Sequence, residues 1–349
     1  MDPPAGVVRA EEDGDSAVAA VLAAAKDDAV RRKSSSGAMF PLLARQALAA
    51  GGVVIGAALG GPEEGWRVRH EAVEDEAGLS RLLRSKYVQS DKGDSFRQTA
   101  DFLRAGREVL FSGTGCEVQG LLRYLSAIRQ DTAHLVTVDI ICHGTPSPAL
   151  WQKYMELRLS LDGQRAGDVV GVNFRDKSAG WHRSVCLSID YRNGARHVSQ
   201  GDLFMQLFLN NLCLRGSCYH CPARSRLVRD ADASQEAAWQ AWRPSDLTIG
   251  DFWGIDQTNL KPLDDDKGLS LVFAHTPKGR RLLQALKSSG AAMVQEIALR
   301  ESFLRRTNPN IFTDVARPEE RDAVLQAVGN ASGAELLAAL EKAVPRLFS

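Results

Sequence analysis

The chain has 349 residues, 44% hydrophobic and 25% charged, and its 43 Lys plus Arg equal its 43 Asp plus Glu. That size carries a large core, in two domains or one extended α/β unit, and the even charge offers no basic surface for nucleic acid. The longest uncharged stretch, Gln46 to Pro62, is too short and glycine-rich to span a membrane, and the acidic start holds no apolar signal core, so a cytoplasmic address is expected.

Residues 1–33 read as a helical lead-in, with the Ala-rich "SAVAAVLAAAKDDAV" predicting a helix over 16–30. A small-residue turn, "KSSSGAMF", leads into helical "PLLARQALAAG", and "GVVIGAAL" then reads as a strand. Two strand-then-helix units follow. "REVLFSG" (107–113) precedes "CEVQGLLRYLSAIRQ", and "HLVTVDIIC" (134–142) precedes "SPALWQKYMELRLSLDG", where Ser147 is a good N-cap and Pro148 suits the first helical position. Near-continuous apolar strands with helical crossovers predict a parallel sheet buried on both faces.

Beyond residue 168 the pattern changes. "DVVGVNFRD" and "SVCLSIDYRNGARHVS" read as strands, with Asn193-Gly194 as a hairpin signal. Helical "DLFMQLFLNNLCL" enters a cysteine loop, the polar stretch 223–244 reads as an irregular insertion, and "SDLTIGDFWG" is a further strand. "SLVFAHT" and "KGRRLLQALKSSG" give a late strand and helix, and "GAELLAALEKAV" an amphipathic helix. The expected fold is α/β, a mixed sheet with parallel strand–helix units plus a cysteine-rich loop region.

Six cysteines in a chain without export argue for metal or redox chemistry rather than disulfides. Three fall in "NLCLRGSCYHC" (211–221), where Cys218 and Cys221 form a Cys-x-x-Cys pair able to bind one metal or cluster from a single turn. Cys116 lies just past one predicted strand and Cys142 at the end of the next. If those strands are parallel neighbours, both thiols emerge at one sheet edge, where α/β proteins place their ligands. The four thiolates suit a 4Fe–4S cluster or a four-cysteine zinc site, with His143 and His220 at hand as alternative zinc ligands. Cys186 reads as a packing thiol, and Cys213 as a core residue or an alternative ligand.

No Gly-x-Gly-x-x-Gly fingerprint is present. "SSSGAMF" offers Ser35, Ser36 and Gly37 for a phosphate, although an isolated Ser/Gly run is more commonly a helix-capping turn. Lys86 in "SKYVQS" offers a cation for a pyrophosphate or a cofactor ring, and Ser112, Gly113 and Thr114 form a turn open to close approach by a cofactor. Arg175, Asp176 and Lys177 suit a substrate phosphate or carboxylate, or a solvated strand end.

The segments "VLFSGTGCEVQGLLRYL", "VDIICHGTPSP", "VNFRDKSAGW", "LFLNNLCLRGSCYHC" and "SDLTIGDFWG" resemble, in order, those of the coenzyme F-420 hydrogenase/dehydrogenase beta-subunit family. "KSSSGAMF" and "SKYVQSDKGDSF" resemble its N-terminal part, so the likeness covers roughly residues 30–290, closest to a bacterial branch found with surface-polysaccharide genes. It divides the chain into the lead-in, an N-terminal part (34–105), a core with the cluster cysteines (106–290) and a helical tail (291–349). The resemblance implies FAD and a 4Fe–4S cluster, the latter held by Cys116, Cys142, Cys218 and Cys221. It also implies electron transfer between a diffusible hydride carrier (deazaflavin or nicotinamide) or ferredoxin and a partner or substrate. The expected redox partner is a ferredoxin, an iron–sulfur subunit or the diffusible carrier, since the N-terminal ferredoxin module of many relatives has no counterpart here, and a homo-oligomer is a separate expectation. The rival expectation is a non-catalytic, zinc-stabilised accessory or binding protein on the same fold, serving polysaccharide assembly.

Overall fold

A computed structural model describes residues 19–224, 243–297 and 301–348. Thus residues 1–18, and 225–242 of the expected insertion, lie outside the described residues. The main sheet has eight strands in the order β11-β1-β10-β9-β5-β4-β2-β3. Four neighbours run parallel at its centre: β2 (Val53–Leu59), β4 (Val109–Thr114), β5 (Leu135–Ile140) and β9 (Leu247–Asp251). The remainder is antiparallel: β3 (Val68–Val73) flanks β2, and β10 (Ser270–Ala274), β1 (Ala19–Ala25) and β11 (Ala292–Glu296) follow β9. The mixed α/β fold expected from the sequence is the one observed.

The Ala-rich segment departs from expectation. Among its described residues only Asp28–Arg32 (α1) is helical, with Asp27 as its N-cap, whereas residues 19–25 form β1. Alanine's helix preference is a weak prior that tertiary contacts override. Here the segment pairs along both edges and Val21–Ala25 are buried. Small side chains also let another backbone approach, for Gly37 lies against the Ala23 carbonyl and the Ser270 N–H. The expected helical tail likewise begins with a strand, β11, which completes the sheet beside β1.

Helices cover both faces. α2 (Met39–Ala49), α3 (Glu76–Leu82) and the later α8 (Pro277–Ser288) bury Leu43, Leu79, Leu82, Leu283 and Leu286 against one face. On the other face, α4 (Ser95–Arg104) and α5 (Gly115–Ala127) pack around Phe111, Val118 and Leu121. Burial on both faces is why the central strands read as continuous apolar runs rather than alternating ones.

A second apolar core is built by α6 (Pro148–Asp162), α7 (Leu203–Leu209), α10 (Arg321–Asn330) and α11 (Leu336–Ala343). They surround a three-stranded antiparallel sheet, β6 (Val169–Asn173), β7 (Leu187–Tyr191) and β8 (Arg196–Ser199). Ser147 accepts a hydrogen bond from the Ala149 N–H and caps α6 as expected, and Gly194, at φ 84°, turns the β7–β8 hairpin. Between β11 and α10 lies α9 (Glu301–Thr307). No described helix is long and apolar enough to cross a membrane.

Candidate functional site

The parallel register places Thr114 beside Ile140, so the chain leaves β4 and β5 at the same edge of the sheet. Cys116 follows in the first turn of α5, and Cys142 stands two residues past the end of β5. The cysteine loop reaches this edge through a bridge between Pro146 and Leu214 and a hydrogen bond from the Arg215 N–H to the Thr145 carbonyl (3.0 Å).

Arg224, three residues after Cys221 and buried, fastens the loop. Its guanidinium donates to the carbonyls of Cys142 (3.0 Å), Cys218 (3.4 Å) and His143. Its Nε is buried without a hydrogen-bond partner. A second buried cation, Arg243, pairs with Asp139 at 2.7 Å. Gly115 sits where a Cβ would come within 2.8 Å of both Ala223 and the Arg243 guanidinium, so only glycine lets Cys116 stand this close to the loop.

The four thiols share one electrostatic neighbourhood. Burial, then the charges of Cys116, Cys218 and Cys221, push the Cys142 thiol far above its ordinary range. Burial also raises Cys116, with Glu117, Cys221 and Cys218 adding to it and a contact with the Thr114 hydroxyl (3.2 Å) opposing it. Among the described residues no three His, Cys, Asp or Glu side chains converge tightly enough to hold one metal ion. Cys213 and Cys186 are buried, Cys213 within the second apolar core.

Beside the cysteines lies a cavity of about 250 Å³, open along the C-terminal ends of β2, β4, β5 and β9. This is where parallel α/β sheets leave a crevice for ligands. Ser35, Ser36, Lys86, Ser112, Gly113 and Thr114 all line it. Gly37 does not: its N–H donates to Ser270 Oγ (3.0 Å), its carbonyl accepts from the Ala25 N–H (2.8 Å), and it serves to seat the serine turn on the sheet. Lys86 donates to the Leu83 carbonyl (2.6 Å); burial, then the charge of Arg84, lowers its pKa to about 7. Thr145 lines the same cavity and stands 3.8 Å from Cys218 Sγ.

The Arg175–Asp176–Lys177 run is not a solvated strand end. Arg175 and Asp176 are both buried. Arg175 pairs with Asp251, a cavity residue, at 2.8 Å and lies over the Trp253 ring. Lys177 donates to the carbonyls of Arg31 (2.7 Å), Ser36 (3.1 Å) and Lys267 (2.6 Å), tying the serine turn to the 267 loop.

One network escaped sequence reasoning. His70 on β3 sends Nε2 to the Ser112 carbonyl (3.1 Å) and Nδ1 to Ser90 Oγ (2.7 Å). A carbonyl can only accept, so Nε2 carries the hydrogen and Nδ1 accepts from the serine. Lys92 forms an ion pair with Glu117, which lines the cavity and accepts from the Thr114 N–H (2.8 Å). Burial opposes ionisation of Glu117, but the charge of Lys92 and the hydrogen bonds from Lys92 and the Thr114 N–H outweigh it and hold the carboxyl below its ordinary range. These residues come from three separate stretches of chain, and no local motif joins them.

Residues 106–299, more than half of the chain, match the family model for the C-terminal part of the beta subunit of coenzyme F420 hydrogenase/dehydrogenase. No curated protein matches the chain. Among solved structures, it is similar to a chain from the F420-reducing NiFe hydrogenase complex of Methanosarcina barkeri, with a TM-score of 0.54 and 17% identity. That likeness covers 86% of this chain and 92% of the other. At that identity the likeness is one of fold.

Proposed function

Because the chain belongs to the coenzyme F420 hydrogenase/dehydrogenase beta-subunit family, a family of redox proteins, we propose that it is an iron–sulfur flavoprotein oxidoreductase. In this reading it passes electrons between a hydride carrier or ferredoxin and a partner protein or substrate. The observation that carries the reading is the shared wall between the two sites. The turn Ser112–Thr114 lines the cavity and delivers Cys116 two residues later, and Thr145 faces both the cavity and Cys218.

Cys116, Cys142, Cys218 and Cys221 would hold a 4Fe–4S cluster. Such a cluster takes its thiolates at wider separation than a single ion does. That accords with thiols that feel one another's charge without meeting at one point. The buried Nε of Arg224, lacking a hydrogen-bond partner, suits a site that gains an acceptor when filled. Arg224 and Arg243 would offset the negative charge of a four-thiolate cluster, which otherwise makes burial costly. Ser35, Ser36, Lys86 and the Ser112–Thr114 turn would hold FAD in the cavity. When bound, the flavin exchanges a hydride as a two-electron unit and the cluster takes electrons singly.

The chain's own task is to position the two groups and to exclude water between them. His70, Lys92 and Glu117 fix the Ser112–Thr114 wall from behind, and Arg175 holds Asp251 on the opposite side. The test is iron, acid-labile sulfide and released flavin in anaerobically purified protein, with Cys218→Ser beside the wild type. About four irons, four sulfides and one flavin per chain are expected, with the iron lost and the flavin kept in C218S. Full iron in C218S overturns the ligand assignment. One zinc and no flavin replaces the reading with a zinc-stabilised accessory protein.

A further inference from the structure

Among the described residues, three lysines each give three hydrogen bonds to backbone carbonyls. Lys278 donates to those of Thr132 (3.4 Å), Ala133 (3.1 Å) and Leu135 (2.5 Å), all within residues 132–135. Lys153 donates to those of Val328, Gly329 (3.3 Å) and Ala331 (2.5 Å), all within residues 328–331. Each of these two closes one short stretch of chain. Lys177 differs, because its acceptors on Arg31, Ser36 and Lys267 lie 146, 141 and 90 residues away, on two separate loops.

An ammonium has three N–H donors, and here each finds a carbonyl, at 2.7, 3.1 and 2.6 Å. Three carbonyl dipoles that converge on one point need a positive centre there, since unpartnered they repel one another and forgo their hydrogen bonds. Rings of carbonyls are also how proteins hold monovalent metal ions. The distances exceed those that Mg²⁺ and Ca²⁺ take to oxygen, about 2.1 Å and 2.3–2.6 Å respectively, and none of the three acceptors is a carboxylate. Gly268 leaves room for this arrangement. It sits at φ 109°, and a Cβ there would come within 3.0 Å of Lys177 Nζ and 2.5 Å of the Ser36 carbonyl. The two loops are also laced directly: Arg31 donates to Asp265 (2.9 Å) and to the Gly268 carbonyl (2.9 Å), and Ser36 Oγ to the Leu269 carbonyl (2.7 Å).

We propose that the carbonyls of Arg31, Ser36 and Lys267 form a monovalent-cation site whose permanent occupant is the chain's own Lys177 ammonium, and that this tethered cation makes the serine turn independent of the surrounding salt. A free ion would have to be captured from solution, whereas a tethered one is present at high effective concentration. Burial, then the charge of Arg175, lowers the Lys177 pKa to about 8, with Asp251 pulling the other way, so the ammonium is the main form at neutral pH. The cage stands apart from the flavoprotein reading. Only its consequence rests on that reading: Ser35 and Ser36 line the larger cavity, so loss of the cation loosens the wall that would hold the flavin.

The test is thermal unfolding of the full-length wild type, Lys177→Ala and Lys177→Gln at neutral pH. Each is measured in choline chloride and in KCl of equal ionic strength, so that screening is the same throughout. The wild-type midpoint should be the same in both salts. K177A should melt about 3–8 °C below the wild type in choline, because the carbonyls lose their partner. Exchanging choline for about 0.2 M KCl should restore half or more of that loss, growing with the logarithm of concentration as a bound ion requires. K177Q brings N–H donors without charge; it should melt below the wild type and gain nothing from KCl. Flavin retained per chain should follow the midpoints and return to K177A with K⁺. The proposal is overturned if K177A melts with the wild type in choline, if K⁺ and choline leave it equally depressed, or if K177Q matches the wild type. Should K177A prove insoluble, K177Q decides: below the wild type supports the cage, level with it refutes it. If the wild type carries no flavin, the redox reading falls, and the midpoints still decide the cage.

Discussion

His70 makes the stability of this protein depend on pH in a way that one substitution should remove. Its ring is buried behind the cavity wall; burial, then the positive charge of Lys92, lowers its pKa from 6.5 to about 4, with Glu117 pulling the other way. In the unfolded chain the same imidazole takes up its proton near 6.5. Below that value the unfolded state binds a proton that the folded state refuses, so stability falls as pH drops from about 6.5 toward 4, and the loss levels off below 4. At about 1.4 kcal/mol per pH unit, going from about pH 7.5 to about pH 5 should cost about 2 kcal/mol through this residue alone. His70→Gln keeps an N–H for the Ser112 carbonyl and has no proton to gain. Urea unfolding of both proteins at the two pH values measures the difference, with other titrating groups cancelling between them. The wild type should lose about 2 kcal/mol more than H70Q. Equal losses would mean that His70 carries its proton in the fold, and the tautomer and the Lys92 argument would fall with it.

Two glycines give sharper tests of packing. Gly115→Ala places a methyl against Ala223, Arg243 and Asp139, and should cost about 1–3 kcal/mol in urea while lowering the metal content of the isolated protein. An unchanged midpoint and full metal would show that the cysteine loop does not rest on that glycine. Gly37→Ala meets backbone rather than side chains, at the Ala23 carbonyl and 2.7 Å from the Ser270 nitrogen, and neither can swing aside. It should lower soluble yield and thermal midpoint far more than Gly61→Ala, whose surroundings are open; equal effects would refute the close approach.

The parallel centre is legible in the sequence at β4 and β5, apolar strands each followed by a well-marked helix, as at Ser147-Pro148. The same logic brings Cys116 and Cys142 to one edge. It fails where the decisive contacts are distant. Nothing local reports that β10 and β11 will flank residues 19–25, so alanine's own preference points to helix. β3 escapes notice because its alternation is broken by His70 and Glu71, residues spent on the cavity wall and on Arg81. The serine turn reads as a phosphate cradle along its whole length, although Gly37 faces the sheet and only its neighbours reach the cavity. Arg224 is the one overlooked residue with a local sign, standing three positions after the last cysteine. Arg243 and Lys92 have none, since their carboxylate partners lie far away in the chain.

The position of β1 also sets an order of events during synthesis. This strand lies between β10 and β11, both made about 245 residues or more after it. At ordinary elongation rates it waits on the order of ten to fifty seconds at the ribosome before either neighbour exists. An unpaired strand rich in valine or isoleucine would spend that interval inviting pairing with other nascent chains. Alanine has weak strand propensity and little side chain to bury, so the waiting segment is a poor template for such pairing until its own neighbours appear. The composition that misleads a reading of the sequence is thus also what keeps this strand quiet before its partners are made.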